Sequence, residues 1–240
     1  MQRLAIAPTQ IHLSQITLTP EQYHYLSRVL RLGEGDRFIA MNGLGQSWIA
    51  ALAGTSAQIV EGLEVKSELP VQVTLMAALP KGNGFDEVVR GCTELGVSCI
   101  LPAIGDRTLI KPSSQKLDRW RRIAAEAAEQ AERQIIPTIL DPVAFTAGLL
   151  SLSCHTVKED CYICVARGDS PHLLRCLQEK GSQSTSIVIA IGPEGGWTDK
   201  EIEQAIDQGF KTVSLGSRVF RAVLAPVVAL SIVAAAYEKL

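Results

Sequence analysis

The fold is decided by the stretch Ile187-Val-Ile-Ala-Ile-Gly-Pro-Glu-Gly-Gly-Trp197. Its first five residues form an unbroken aliphatic run rich in β-branched side chains, which is typical of a strand buried on both faces. Such strands occur in parallel sheets that helices cover. The sequence therefore predicts an α/β domain with a parallel sheet.

A glycine-rich loop follows this strand. Gly192, Gly195 and Gly196 carry no side chain, so the backbone can turn sharply and approach a ligand closely. Thr198 and Glu201 have capping-box spacing, which predicts a helix directly after the loop. Strand, loop and helix in this order form ligand sites in open α/β sheets, although a turn without a ligand is the alternative. The loop matches neither the P-loop nor the Gly-x-Gly-x-x-Gly pattern, so the ligand stays open at this point.

A second glycine loop lies one strand further along the chain. The stretch from Lys211 runs through Gly216 and Arg218 to Arg221. Sequential strands usually lie side by side, so the two loops can enclose one flat ligand.

Length, net charge and the longest apolar run limit the classes of protein to which this sequence can belong. The 240 residues suffice for one large domain or two small ones, and the net charge of −2 means that any nucleic-acid surface must be local. The longest apolar run, from Ala222 to Ala236, is broken by Pro226 and Ser231 and is shorter than the roughly 20 residues of a membrane span. No signal peptide is evident at the N-terminus. We expect a cytoplasmic protein without membrane segments.

The cysteine pattern does not predict a metal site. Cys161 and Cys164 have the spacing of a metal-binding pair, but they lie on a predicted strand, where residues three apart point to opposite faces. Buried thiols are the expected state in a cytosolic chain.

Residues 1–69 differ from the rest, with short alternating runs and one helix capped by Thr19. They predict a small β-barrel or sandwich, separated at Glu68-Leu-Pro from an α/β domain at residues 70–240. Arg28 and Arg31 on the helix indicate either a solvated face or a phosphate contact.

The α/β part contains a second basic cluster and two further predicted helices. Ser170 and Pro171 predict a helix start, and the residues from Pro226 onward predict an apolar helix that is buried against the sheet or a second subunit. The basic cluster favours polyanion binding or, equally, a solvated helix; it comprises Arg107, Lys111, Lys116, Arg119, Arg121 and Arg122.

Five stretches together resemble one family, the 16S rRNA (uracil-N3) methyltransferases of the SPOUT class. They span nearly the whole chain and are Arg28-Val-Leu-Arg31, Thr93-Glu-Leu-Gly-Val97, Glu129-Gln-Ala-Glu-Arg133, Ile191-Gly-Pro-Glu-Gly-Gly and Leu215-Gly-Ser-Arg-Val-Phe-Arg221. The resemblance implies a knotted SPOUT-type parallel sheet with helices on both faces, preceded by a small PUA-like β-barrel domain that binds RNA. It also implies a homodimer that uses S-adenosyl-L-methionine and acts on 16S rRNA or the small ribosomal subunit, with no metal.

The resemblance implies a cofactor site made by three loops. Their residues are Ala166, Arg167, Gly168, Ile191, Gly192, Pro193, Glu194, Gly195, Gly196, Leu215, Gly216, Arg218, Val219, Phe220 and Ala222.

It also implies catalytic and RNA-binding roles. Arg133 is expected to position the uridine or its phosphate, and Glu194 to cap the cofactor or assist with the proton, or else to bond loop amides. Methylation at a ring nitrogen requires no cysteine nucleophile. The expected RNA contacts are Arg28, Arg31, Arg107, Lys111 and Arg221.

The chain also departs from the family pattern. Many members have Thr-Glu-Thr after the last arginine, whereas this chain has Ala222-Val-Leu224, and Gly91 replaces a lysine. The missing Thr-Glu-Thr motivates one alternative, a catalytically silent RNA-binding or ribosome-assembly protein. A SPOUT methyltransferase acting on tRNA or on a different base is a separate alternative.

Overall fold

The computed structural model describes residues 1–108, 112–152, 159–180 and 184–238. The chain divides into two compact units. One consists of Met1–Glu68 and Ala125–Ile136, and the other of Leu69–Ala124 and Pro137–Leu240.

The first unit is built on a mainly antiparallel sheet. Its strands are β1 (Arg3–Ala5), β2 (Ile11–His12), β3 (Gln15–Thr17), β4 (Arg37–Met41), β5 (Ser47–Ala53) and β6 (Ser56–Leu63). They pair in the order β1-β4-β5-β6-β3-β2, with only the β1–β4 pairing parallel among the described residues. The expectation of a small β unit with one helical segment is confirmed.

The helical segment of this unit begins as the sequence predicts. Helix α1 (Pro20–His24) is capped by Thr19, whose side chain accepts a hydrogen bond from Gln22 N. The chain then continues as a π-helix over Tyr25–Val29, and Arg31 has a left-handed backbone with φ 59°. A single turn of π-helix is frequent at functional sites. A non-glycine residue with a left-handed backbone is also frequent there.

A buried ion pair stabilises the first unit. The Arg133 guanidinium donates through Nη2 to Glu68 Oε2 at 2.6 Å, and the Arg133 side chain is only 2% exposed. The other carboxylate oxygen accepts from the backbone N–H groups of Gln134 and Ile135, at 2.9 and 3.0 Å. Glu68, predicted as part of a linker, therefore fixes both the side chain of Arg133 and the backbone directly after it.

The second unit contains a parallel sheet. Its strands are β7 (Gln72–Ala78), β8 (Cys99–Ile104), β9 (Thr138–Ile139), β10 (Val143–Ala144), β11 (Glu159–Cys164), β12 (Ser186–Ile191) and β13 (Lys211–Val213). They lie in the order β10-β8-β7-β12-β11-β13, with β9 also paired to β8, and all of these pairings are parallel among the described residues.

Helices cover both faces of this sheet. Val188 and Ala190 of β12 pack in a cluster with Phe145 and Trp197, while the intervening Ile189 is also fully buried and so faces the other side. The predicted doubly covered parallel sheet is confirmed. The α-helices that follow α1 in the chain are α2 (Phe85–Glu94), α3 (Ser114–Gln130), α4 (Phe145–Ser151), α5 (Leu173–Lys180), α6 (Asp199–Asp207) and α7 (Leu224–Tyr237), and residues 125–130 of α3 belong to the first unit.

One predicted helix start is wrong. Helix α5 begins at Leu173, not at Pro171, because His172 first forms a parallel bridge with Ser214. Its ring nitrogen Nδ1 then accepts from Leu174 N at 3.2 Å, which takes the capping role expected of Ser170. In the described part of the chain, none of the helices combines the length and apolar character that crossing a membrane requires.

The Arg133–Glu68 pair predicts the effect of a substitution in the first unit. Glu68→Gln is expected to lower the free energy of unfolding by about 3 kcal/mol. That is the lower end of the cost of breaking a buried ion pair, because the Glu68 side chain keeps 21% of its surface exposed. Urea denaturation measures the difference, and Glu64→Gln at an exposed position is the control. Equal losses in the two variants would contradict this account.

Candidate active site

A cavity of about 390 Å³ lies at the carboxyl ends of β11 and β12. Its walls come from three loops, which follow β11, β12 and β13. All the cofactor residues predicted from the sequence line it, except Gly168. The structure therefore brings together residues that are as far apart in the chain as Ala166 and Ala222.

Two glycines of the loop after β12 pack closely against neighbouring side chains. A Cβ atom at Gly192 would lie 3.2 Å from the Trp197 ring, and one at Gly195 would lie 3.1 Å from Arg107 Cδ. The neighbouring Gly196 has φ 68°, a conformation that side chains disfavour. Close packing at Gly192 and Gly195 and the positive φ at Gly196 therefore favour glycine at all three positions of this loop.

Arg107 braces the same loop. Its Nη1 donates to the carbonyl oxygens of Gly195 at 2.5 Å and of Trp197 at 3.3 Å. The sequence assigned Arg107 to RNA, but the structure places it on the cavity wall with this nitrogen already engaged. An RNA contact by Arg107 stays a prediction, and it would have to use the remaining donors.

Glu201 joins the loop after β12 to the loop after β8. Its side chain is 3% exposed, and Oε2 accepts from Thr198 N at 2.7 Å, as the predicted capping box requires. Its second oxygen, Oε1, accepts from Asp106 N at 2.9 Å. A single buried carboxylate thus fixes the start of α6 and the position of Arg107, the next residue after Asp106.

Glu194 lines the cavity and is exposed. Its Oε1 accepts from the backbone N–H of Lys81 at 2.9 Å. This bond is the loop-amide role that the sequence left as the alternative. A role for Glu194 in capping the cofactor or in proton transfer stays a prediction.

The other predicted residues lie elsewhere. Arg133 belongs to the first unit and is buried against Glu68, so positioning a uridine would require its release from that carboxylate. Arg28, Arg31 and Arg221 are exposed and form no ion pair with any residue that the structure describes. Lys111 lies outside the described residues.

Several cavity residues were not predicted. Cys164 and Val165 end β11, and they could have been inferred from the rule that ligands bind at the carboxyl ends of parallel strands. The others carry no local motif and reach the cavity through tertiary packing; they are Trp197, Asp199, Ile202 and Ala225.

Burial raises the pKa of the Cys164 thiol to about 12. The thiol is therefore protonated at neutral pH and is a poor nucleophile. Within the described residues, no group of three His, Cys, Asp or Glu side chains is arranged to hold a metal ion.

Family models match most of the chain and agree with this architecture. An RNA methyltransferase domain matches residues 67–234, and an RNA methyltransferase PUA domain matches residues 18–62. Together with the parallel sheet and its glycine-loop cavity, they define the class: an RNA methyltransferase with an N-terminal PUA domain.

Whole-chain relatives narrow this class. The chain is 47% identical to the ribosomal RNA small subunit methyltransferase E of Synechocystis sp., over 99% of this chain and 78% of that protein. It is 29% identical to the Bacillus subtilis enzyme of the same name, over 100% and 98% of the two chains. The structure of the Neisseria gonorrhoeae enzyme bound to S-adenosyl methionine superposes with a TM-score of 0.87 at 26% identity, over 99% and 98% of the chains.

The chain therefore belongs to the ribosomal RNA small subunit methyltransferase E family, and it has the SPOUT-type fold that the resemblance implied.

The position of Glu201 predicts that its carboxylate is needed for stability. Glu201→Gln places an amide against backbone N–H groups that need acceptors, so we expect a loss of about 1–3 kcal/mol in the free energy of unfolding. Glu203→Gln, on the exposed face of the same helix, is the matched control. Chemical denaturation that finds both variants as stable as the wild type would contradict the bracing role.

The raised pKa of Cys164 predicts slow alkylation. Because only the thiolate reacts, modification by iodoacetamide should rise about tenfold per pH unit between pH 7 and pH 10, without levelling off. Free cysteine, with a pKa near 8.5, levels off in that range. Site-resolved mass spectrometry measures both rates, and a plateau near pH 9 at Cys164 would show that its pKa is not raised.

Proposed function

We propose that this chain transfers the methyl group of S-adenosyl-L-methionine to N3 of a uridine in 16S ribosomal RNA of the small subunit. The observation that carries the proposal is the cavity between the three loops, in a chain that matches ribosomal RNA small subunit methyltransferases from end to end. A relative with the same fold was crystallised with S-adenosyl methionine.

The cavity residues fit this cofactor. A volume of about 390 Å³ is within the usual range for small-molecule sites. The walls combine the apolar side chains of Ile191, Ile202 and Leu215 with exposed main chain at the glycines, which suits a flat adenine and its polar edge. Arg167 and Arg218 also line the cavity and offer cations for the carboxylate of the methionine part.

The reaction requires little covalent help from the protein. The bound cofactor supplies an electrophilic methyl group on a sulfonium centre. The residues of this chain must hold the uridine nitrogen in line with that methyl, exclude water and accept one proton. Glu194 and Asp199 are the carboxylates on the cavity wall, and either can accept the proton.

We assign RNA binding to residues 1–69 and cofactor binding to residues 70–240. In the first unit, Arg28 borders a cleft whose wall also includes Tyr23 and His24. Arg28 and Arg31 flank the end of the π-helix, and neither has an ion-pair partner within the described part of the chain. Both guanidinium groups are therefore available for phosphates.

We further propose that the chain acts as a cytoplasmic homodimer. Helix α7 is apolar on all sides, yet Leu224 keeps 42% of its surface exposed and Val228 and Ile232 are only partly buried. A second subunit would cover this surface. A cytoplasmic location follows from a ribosomal RNA substrate.

The function is tested by methylation of small ribosomal subunits from a strain that lacks this activity. Incubation with S-adenosyl-L-methionine is expected to produce 3-methyluridine in 16S rRNA, detected by nucleoside mass spectrometry. Product in tRNA alone would favour the tRNA alternative. Absence of product, with retained RNA binding, would favour the silent scaffold that Ala222-Val-Leu224 suggests.

The RNA role of the first unit predicts a change in salt dependence. The double charge reversal Arg28→Glu and Arg31→Glu should weaken binding to 16S rRNA fragments and make the slope of log K against log salt shallower by about 1 per lost phosphate contact. Binding isotherms at several salt concentrations measure this slope. Charge reversal of Lys66 and Arg175, two exposed residues outside both predicted basic surfaces, is the comparison. An unchanged slope in the Arg28/Arg31 variant would refute the assignment.

A further inference from the structure

The loop from Pro80 to Gly84, between β7 and α2, contacts two of the cofactor loops. On one side, the Lys81 N–H donates to Glu194 in the loop after β12. On the other side, Gly84 lies against Val223, directly after the loop that follows β13. Neither the sequence prediction nor the outline of the cavity includes this segment.

Glycine occurs at position 84 because a larger side chain has no room there, and not because of the backbone conformation. Its φ is −59° and its ψ is −20°, a helical conformation that any residue adopts. A Cβ atom there would lie only 2.6 Å from Val223 Cγ2. The glycine therefore admits the valine methyl group into contact with the main chain.

A second contact of the same kind follows along the helix. A Cβ atom at Gly91, in the middle of α2, would lie 3.0 Å from Val227 Cγ2 of α7. Glycine inside a helix lowers helix stability by about 1 kcal/mol relative to alanine. The close packing of α2 against α7, which glycine allows, offsets this loss. The start of α7 thus packs against α2 through two glycine–valine contacts, Gly84 with Val223 and Gly91 with Val227.

Val223 is well placed to control the cofactor loop. It is the N-cap residue of α7 and makes no side-chain capping bond, while the neighbouring Ala222 and Ala225 both line the cavity. The backbone N–H groups of Leu224 and Ala225 donate to Arg221 O, each at 2.9 Å, which makes this a tight turn. A shift of Val223 therefore moves the cavity wall.

We propose that the loop Pro80–Gly84 sets the spacing between the two cofactor loops, with Gly84 and Val223 as positioning residues. The main chain of this loop holds Glu194 on one side, and the space at Gly84 holds Val223 on the other. This contact supplies the anchoring of the third loop in a chain that has Ala222-Val-Leu224 at this place. The inference rests on the proposed use of S-adenosyl-L-methionine.

The test is a size exchange between the two positions. Gly84→Ala is expected to weaken S-adenosyl-L-methionine binding in calorimetric titration by about tenfold, as a clash of about 1.4 kcal/mol would produce. Adding Val223→Ala should restore the affinity to within about threefold of the wild type, because the new methyl group occupies the space that the valine vacates. Gly91→Ala, with its longer 3.0 Å approach, should act in the same direction but less, and it serves as the second variant if Gly84→Ala does not fold.

Gly62→Ala is the matched control, since nothing lies within 4 Å of the added atom and its φ is not positive. Thermal unfolding of every variant separates loss of affinity from loss of fold. Wild-type affinity in a folded Gly84→Ala variant would overturn the inference, as would a double variant no better than Gly84→Ala; if Gly84→Ala does not fold, wild-type affinity in Gly91→Ala would overturn it. If the wild type itself binds no S-adenosyl-L-methionine, the proposed function fails, and the inference fails with it.

Discussion

The cavity depends on the buried carboxylate of Glu201. One of its oxygens caps α6 and the other holds the amide of Asp106, so the loops that follow β12 and β8 are fixed by the same group. Arg107 is the next residue, and its guanidinium then reaches the carbonyl oxygens of Gly195 and Trp197. A glycine loop has little stiffness of its own, because glycine loses more conformational freedom on folding than any other residue. The bracing by Glu201 and Arg107 supplies the order that an exposed glycine loop lacks.

This bracing explains how main chain can form a ligand site. The loop after β12 lines the cavity with three glycines, two of which pack closely against Trp197 and Arg107, which also line the cavity. The catalysis we propose needs positioning and a dry site rather than a covalent nucleophile. The raised pKa of Cys164, the thiol on the cavity wall, agrees with that requirement.

The sequence predicts those helices and strands that are determined by residues close together in the chain. The buried run of β12, the capping box at Thr198 and the cap at Thr19 are each determined by neighbouring residues, and each is found where expected. Strands of two or three residues, such as β2, carry too few positions for an alternating pattern.

Contacts between distant residues could not be predicted in this way. Glu68 and Arg133 are 65 residues apart, and Arg107 and Gly195 are 88 apart. Gly84 has an ordinary helical backbone, so its conformation does not explain why glycine occurs there. The reason is the close contact with Val223, which only the structure shows. In these cases tertiary packing determines the residue type, and patterns of neighbouring residues in the sequence do not reveal it.

We propose that three loops of this chain form one site for S-adenosyl-L-methionine. Hydrogen exchange with and without S-adenosyl-L-methionine tests it most directly, since amides that a ligand orders exchange more slowly. The account predicts slower exchange in residues 166–168, 191–196 and 215–222, with little change in residues 1–62. Protection confined to other segments, or none at a saturating concentration, would contradict it.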